Sequence, residues 1–106
     1  MQEEKIIYIT RKIPDSGLKL LQDHGIAYDI GKFKKPPTQK DLIKELKKKP
    51  YLGVISFLTD KIDYNIFEAC PTAKIFANFA VGYDNLNVED AKAKNVFLTN
   101  TPGTSA

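Results

Sequence analysis

Five short runs of apolar residues, mostly β-branched or aromatic, recur along the chain, and each of the first four is followed by a stretch with helical spacing. Ile6-Ile7-Tyr8-Ile9 is apolar at every position and ends at Thr10, as a strand buried on both faces should be. Ile13-Pro14-Asp15 then opens a helix, with Pro suited to the first helical position and Asp to the positive end of the dipole. Leu18 and Leu21 share a face of this helix, and Gly25 suits the left-handed residue that ends it. Ala27 to Ile30 reads as a second strand, and Lys32 to Pro37 as a loop stiffened by Pro36-Pro37.

Thr38-Gln39-Lys40-Asp41 has the form of a capping box with Asp in place of the usual Glu. Leu42, Ile43 and Leu46 make the apolar stripe of the helix it starts, which stops before Pro50. Leu52 to Phe57 is a third strand, apolar apart from Gly53 and Ser56. Asp63 caps a third helix with Ile66, Phe67 and Cys70 facing inward, ended by Pro71. Ile75 to Val81 is a fourth strand, Asn87-Val88-Glu89-Asp90 starts a fourth helix that runs to Asn95, and Val96 to Thr99 is a fifth strand.

Strands that alternate with helices and are apolar throughout specify an α/β fold with a parallel sheet covered on both faces. The expected architecture is a doubly wound, flavodoxin-like, five-stranded sheet in the order 2-1-3-4-5. Right-handed crossovers then place the first helix on one face and the other three on the opposite face. No fifth helix follows the fifth strand, because the chain ends seven residues past Thr99 with Pro102 and Gly103 among them. Val54-Ile55, Ile75-Phe76 and Phe97-Leu98 are apolar on both parities, so an uncovered apolar face is expected over strands three to five. A homodimer, or the missing remainder of a longer protein, would cover it.

Composition narrows the class without naming it. The 106 residues are 42% hydrophobic and 27% charged, as in an ordinary single folded domain, with no run long enough to span a membrane. Met1 to Lys5 is acidic and leads straight into a strand, unlike a signal peptide, and Cys70 has no second cysteine to pair with. A reducing cytoplasm is the expected compartment. Residues 1–50 carry 12 Lys+Arg against 7 Asp+Glu, whereas residues 51–106 carry 4 against 6. Eight of the basic residues lie between Lys32 and Lys49. That cluster holds no arginine and one aromatic, Phe33, so it reads as a solvated helix face and not as a nucleic-acid footprint. A phosphate-accepting receiver domain shares the strand order but needs acidic residues after the first strand, where this chain has Thr10-Arg11-Lys12.

In an open parallel sheet, ligands sit at the carboxyl ends of the strands. That rim comprises Arg11 to Ile13, Leu58 to Lys61, Val81 to Asn85, and Asn100 to Gly103. Gly82, directly after an apolar strand, permits close approach of a ligand, and consecutive backbone N–H groups there could bind a carboxylate; alternatively Gly82 only makes a tight turn closed by Asp84 and Asn85.

A resemblance favours the first of these readings. Phe76-Ala77-Asn78-Phe79-Ala80-Val81-Gly82-Tyr83-Asp84-Asn85-Leu86-Asn87-Val88, with Ala91-Lys92 and then Val96 to Gly103, is similar to the signature stretch of the D-isomer-specific 2-hydroxyacid dehydrogenases. Gly53 to Asp63 resembles that family's substrate-loop segment, and Pro71 to Lys74 its strand lead-in. The family includes glyoxylate, hydroxypyruvate and phosphoglycerate dehydrogenases. The resemblance implies that residues 1–106 are the N-terminal segment of a substrate-binding domain, the Rossmann NAD-binding domain being absent. It further implies that the backbone of Val81 and Gly82 receives the carboxylate of a small 2-keto or 2-hydroxy acid, with Leu58 closing the pocket beside it. Asn87 departs from the usual Asp but keeps an N-cap.

Hydride transfer to a 2-keto acid needs a nicotinamide, a cation for the carboxylate and an acid/base group. No two of the six glycines form a G-x-G, no metal-ligand spacing exists, and nothing around Arg11 resembles the family's catalytic Arg segment. His24 falls at the expected end of the first helix, where it would meet terminal carbonyls. No catalytic, cofactor-binding or metal residue is therefore expected here, and NAD or NADP is implied only for a full-length family member. The reading is the substrate-binding portion of an NAD(P)-dependent oxidoreductase, inactive by itself; the alternative is a stand-alone, non-catalytic carboxylate-binding or interaction module.

Overall fold

The computed structural model describes residues 5–79 and 84–100. Its elements run β1 (Ile6–Ile9), α1 (Asp15–Asp23), β2 (Ala27–Ile30), α2 (Gln39–Leu46), β3 (Gly53–Ser56), α3 (Tyr64–Ala69), β4 (Ile75–Asn78), α4 (Val88–Lys94) and β5 (Phe97–Asn100). The strands form one sheet in the order β2-β1-β3-β4-β5, with every neighbouring pair parallel. This is the architecture expected from the alternation of apolar runs and amphipathic helices.

Register divides the strand residues between two cores. Tyr8, Val54, Phe76 and Leu98 stand in one row across the sheet. They pack against Leu42 and Leu46 of α2, Ile66 and Phe67 of α3 and Ala91 of α4. Phe76 is fully buried and meets Phe67 edge-to-face, ring centroids 5.2 Å apart. Ile7, Ile9 and Ile55 point the other way, where Leu18 and Leu21 of α1 cover them in a smaller core. On that second face Ile75 is 50% exposed and Phe97 70% exposed, in register with each other and with Gly53. Among the described residues α1 alone covers this side, and it packs over β1 and β2 and reaches Ile55 of β3, leaving β4 and β5 open around Ile75 and Phe97.

The helix ends follow their local chemistry. Thr38 Oγ1 accepts from the Asp41 N–H at 3.1 Å while Asp41 Oδ2 accepts from the Thr38 N–H at 3.0 Å, so the capping box forms with Asp as its third-position acid. Asp63 and Asn87 cap α3 and α4 through the N–H groups of Asn65 and Asp90. Pro14 takes the N-cap position of α1, one residue earlier than its expected place. Gly25 follows α1 with φ +71°, as its position after the last apolar residue suggests. At Gly31 the constraint is close approach: a Cβ would lie 2.6 Å from both the Thr10 carbonyl oxygen and the Tyr8 hydroxyl.

Two strand boundaries shift for identifiable reasons. Val96 was expected to begin β5, but its N–H bonds to the Ala91 carbonyl and finishes α4; Phe97 makes the first cross-strand bond, to Lys74. Phe57 was expected to end β3, but its N–H turns to the Asp60 side chain. Val81, the expected end of the fourth strand, lies outside the described residues.

Candidate functional site

The carboxyl edge of the sheet is built on polar groups buried beneath the loops. Asp60 is fully buried, and its Oδ2 accepts from the Thr10 hydroxyl at 2.6 Å and the Phe57 N–H at 2.8 Å. The first bond ties the end of β1 to the turn after β3; the second closes that turn on itself, helped by the Asp60 N–H to the Phe57 carbonyl at 2.9 Å. Among the described residues Asp60 Oδ1 finds no hydrogen-bond partner. Held in this way, the turn presents Leu58 outward, 54% exposed, with Thr59 beside it.

A second set of contacts joins this turn to the segment after β4. Ser56 Oγ donates to Asn78 Oδ1 at 3.0 Å, both residues being fully buried at the ends of neighbouring strands. Asn78 Nδ2 donates to Asn85 Oδ1 at 2.9 Å. Asn85 Nδ2 donates in turn to the carbonyls of Phe57 at 3.0 Å and Asp60 at 2.7 Å. One residue on, Ile62 and Leu86 form a parallel bridge, with Ile62 N–H to Asn85 O and Asn87 N–H to Ile62 O. The Leu58 turn and the Asp84–Asn87 segment are thus held side by side.

An open cleft of about 440 Å³ lies against these two segments, bordered by Leu58, Lys61, Asp63, Asp84 and Glu89. Three carboxylates against one ammonium leave no net attraction for an anion in the cleft itself, so recognition of a carboxylate would fall to backbone donors or to a cation elsewhere on the rim. One such cation is Arg11. Its guanidinium donates to Thr59 Oγ1 at 3.1 Å and lies 5.7 Å from the centroid of the Phe57 ring, which also packs on Phe79. His24 stands at the opposite edge, because α1 runs back to the amino ends of the strands, and its Nδ1 donates to the Leu20 carbonyl at 3.0 Å as expected of a helix-end histidine.

The displaced titrations lie away from this rim. The Lys49 ammonium and the Tyr51 hydroxyl, bonded at 2.8 and 2.7 Å, hold the Asp29 carboxyl below its ordinary value. Burial, and then the same Asp29 bond, pushes the Tyr51 phenol up; burial does the same to Tyr8, whose hydroxyl has no partner. The eight lysines between Lys32 and Lys49 are all exposed, in keeping with a solvated face. Cys70 is buried against the carbonyls of Lys49 and Tyr51.

Of the residues singled out from the sequence, Leu58 stands on the rim, whereas Val81 and Gly82 lie outside the described residues. Of the groups that organise the rim, Asp60 and Asn85 fall in the segments that the sequence nominates, Asn85 as a turn-closing residue, whereas Thr10 and Asn78 have no role in that reading and Arg11 is set aside. A signal for Asn78 existed: like Ser56, it is a polar residue inside a run otherwise fit for burial, which implies that it must find a partner. Asp60 gave no such hint, since an acid after a strand is commonplace in a solvent-exposed turn.

A nicotinamide dinucleotide does not fit these residues. The first strand-to-helix connection is Thr10-Arg11-Lys12-Ile13-Pro14, with no glycine for close approach of a pyrophosphate and a Pro, lacking an N–H, at the helix N-cap. Among the described residues no cluster of His, Cys, Asp and Glu could hold a metal ion.

Comparison with known proteins agrees with the fold and extends beyond it. The chain is 41% identical over 97 residues to a glyoxylate reductase of Korarchaeum cryptofilum, covering 92% of this chain and 28% of that protein. A glyoxylate reductase of Pyrococcus horikoshii is 38% identical over 96 residues, with the same 28% of its length covered. The chain therefore spans just over a quarter of these curated relatives. Among solved structures, the TT0316 protein of Thermus thermophilus superposes with a TM-score of 0.82 at 26% identity, over 92% of this chain and 30% of that one. The NAD+-bound 3-phosphoglycerate dehydrogenase of Entamoeba histolytica gives 0.76 at 28% identity, over 95% and 34%. Residues 7–106 match the model of the D-isomer specific 2-hydroxyacid dehydrogenase catalytic domain, and the chain belongs to that family.

Proposed function

We propose that this chain is the substrate-binding portion of an NAD(P)-dependent oxidoreductase that interconverts 2-keto acids and D-2-hydroxy acids, with glyoxylate a candidate substrate. The backbone N–H groups of Val81 and Gly82 receive the carboxylate, and Leu58 closes the pocket with an apolar side chain. The observation that carries this reading is the pinned turn of Phe57 to Asp60, which offers Leu58 next to the segment that follows Val81 and Gly82. In this reading residues 1–106 are the N-terminal segment of the substrate domain, and NAD or NADP binds to a separate Rossmann domain. The chain's own contribution is then to bind and orient the acid, while hydride transfer and proton movement belong to groups outside it. The open face around Ile75 and Phe97 is covered either by a second copy or by the remainder of the enzyme. A cytoplasmic location fits this role.

Titration of the ¹⁵N-labelled chain with glyoxylate tests the site. The amides of Leu58, Val81 and Gly82 should move first, with millimolar affinity at best because the cation of the complete site is missing. Shifts confined to Lys32–Lys49 would mean simple charge attraction and would refute the assignment. NADH titration of the same sample is expected to show no saturable binding in the micromolar range.

A further inference from the structure

Asn85 joins two segments of the rim. Its Nδ2 donates to the carbonyls of Phe57 and Asp60, which begin and end the turn that carries Leu58. Its Oδ1 accepts from Asn78, the last residue of β4, and Asn78 is in turn held by Ser56 at the end of β3. A single side-chain amide therefore touches both ends of one loop and, through a second amide, the strand that enters the other. Few side chains could replace it. Asp lacks the donors, Ala lacks both functions, and Gln would displace them by a methylene in a site where Asn78 is fully buried.

We propose that Asn85 is a positioning residue for carboxylate binding: by bridging the Phe57–Asp60 turn and Asn78 it fixes the separation of Leu58 from the strand leading to Val81 and Gly82. The proposal rests on the reading that those two residues receive the carboxylate. Binding through fixed backbone donors tolerates only small displacements, so the clamp governs affinity without touching the ligand.

The test uses the ¹⁵N-labelled chain, glyoxylate as probe, and three variants. Asn85→Asp keeps the acceptor for Asn78 Nδ2, loses the amide donors to Phe57 O, Asp60 O and Asn78 Oδ1, and sets a carboxylate against those three oxygens. Asn78→Asp removes the bond from Asn78 Nδ2 to Asn85 Oδ1 while keeping the acceptor for Ser56, and serves if the first variant does not fold. Thr72→Val deletes a 2.7 Å bond to the Tyr51 carbonyl at the opposite edge of the sheet and controls for general destabilisation. Asn85→Asp is expected to weaken glyoxylate at least tenfold, and Asn78→Asp to act in the same direction. Thr72→Val should leave the affinity within twofold even where its denaturation midpoint falls as far. In ligand-free spectra of the Asn85 variant, the amides of Phe57 and Asp60, which are bonded across the turn, should shift and lose exchange protection together. A folded Asn85→Asp that binds like the wild type overturns the proposal, as do spectral changes that stay within residues 84–87. If the wild type itself does not bind glyoxylate, the carboxylate reading fails on its own. The ligand-free spectra then still decide whether Asn85 couples the two loops.

Discussion

Replacing Thr10 by Val keeps the shape of the side chain and removes the hydroxyl that donates to Asp60. Thr10 is 1% exposed and Asp60 fully buried, so no solvent can substitute for the lost donor. The 2.6 Å bond is one of two that the Asp60 carboxylate accepts, both at Oδ2, while Oδ1 has none among the described residues. A hydrogen bond to a charged group contributes about 1.5–3 kcal/mol, and losing it here also leaves the buried carboxylate less satisfied, so the cost should lie near ~2–3 kcal/mol. At about 4–8 °C per kcal/mol for a domain of this size, the melting temperature should fall by roughly 8–24 °C. Urea denaturation followed by circular dichroism, with an unchanged m-value, is the measurement. The same replacement in an Asp60→Asn background should cost only the ~0.5–1.5 kcal/mol of a neutral bond, giving a coupling of about 1 kcal/mol between the sites. A cost below ~0.5 kcal/mol for Thr10→Val, or equal costs in both backgrounds, would refute the claim that this charge-assisted bond anchors the Leu58 turn.

Three further outcomes are expected. Phe76→Ala empties the centre of the larger core and its contact with Phe67; it should cost about 3–5 kcal/mol, read from the urea midpoint. Asp29, held below its ordinary value chiefly by Lys49, contributes stability that is present above the unfolded carboxylate value and is lost as pH falls through the lower folded value. Asp29→Asn should therefore narrow the stability difference between neutral and acidic pH; its side chain is 36% exposed, so the effect should stay below ~1 kcal/mol. Finally, the wild-type chain should self-associate in sedimentation equilibrium at about 100 μM, where even a modest ~8 kcal/mol association is populated. Ile75→Lys with Phe97→Glu should abolish that association and hydrophobic-dye binding, with little change in midpoint. A wild-type monomer that binds no dye would show that the face is covered in another way.

What the sequence determines is local or repetitive. Apolar runs followed by helical stripes specify five strands and four helices, because burial periodicity is written residue by residue. Caps such as Thr38 with Asp41, Asp63 and Asn87 are equally legible, since donor and acceptor lie within three positions of each other. Strand order followed from the doubly wound pattern of alternating strands and helices, the side each helix takes from the handedness of crossovers, and the family from the dense motif between Gly53 and Gly103. The construction of the rim needed the tertiary structure. Thr10 meets Asp60 across fifty positions, and Asn85 reaches Phe57 across twenty-eight. No periodicity records such pairs: each residue alone is consistent with an ordinary turn, and only the stacking of parallel strands brings their carboxyl ends together. Burial then does the rest, because a polar group shut away from water must find a partner, and the parallel register determines which partners are within reach.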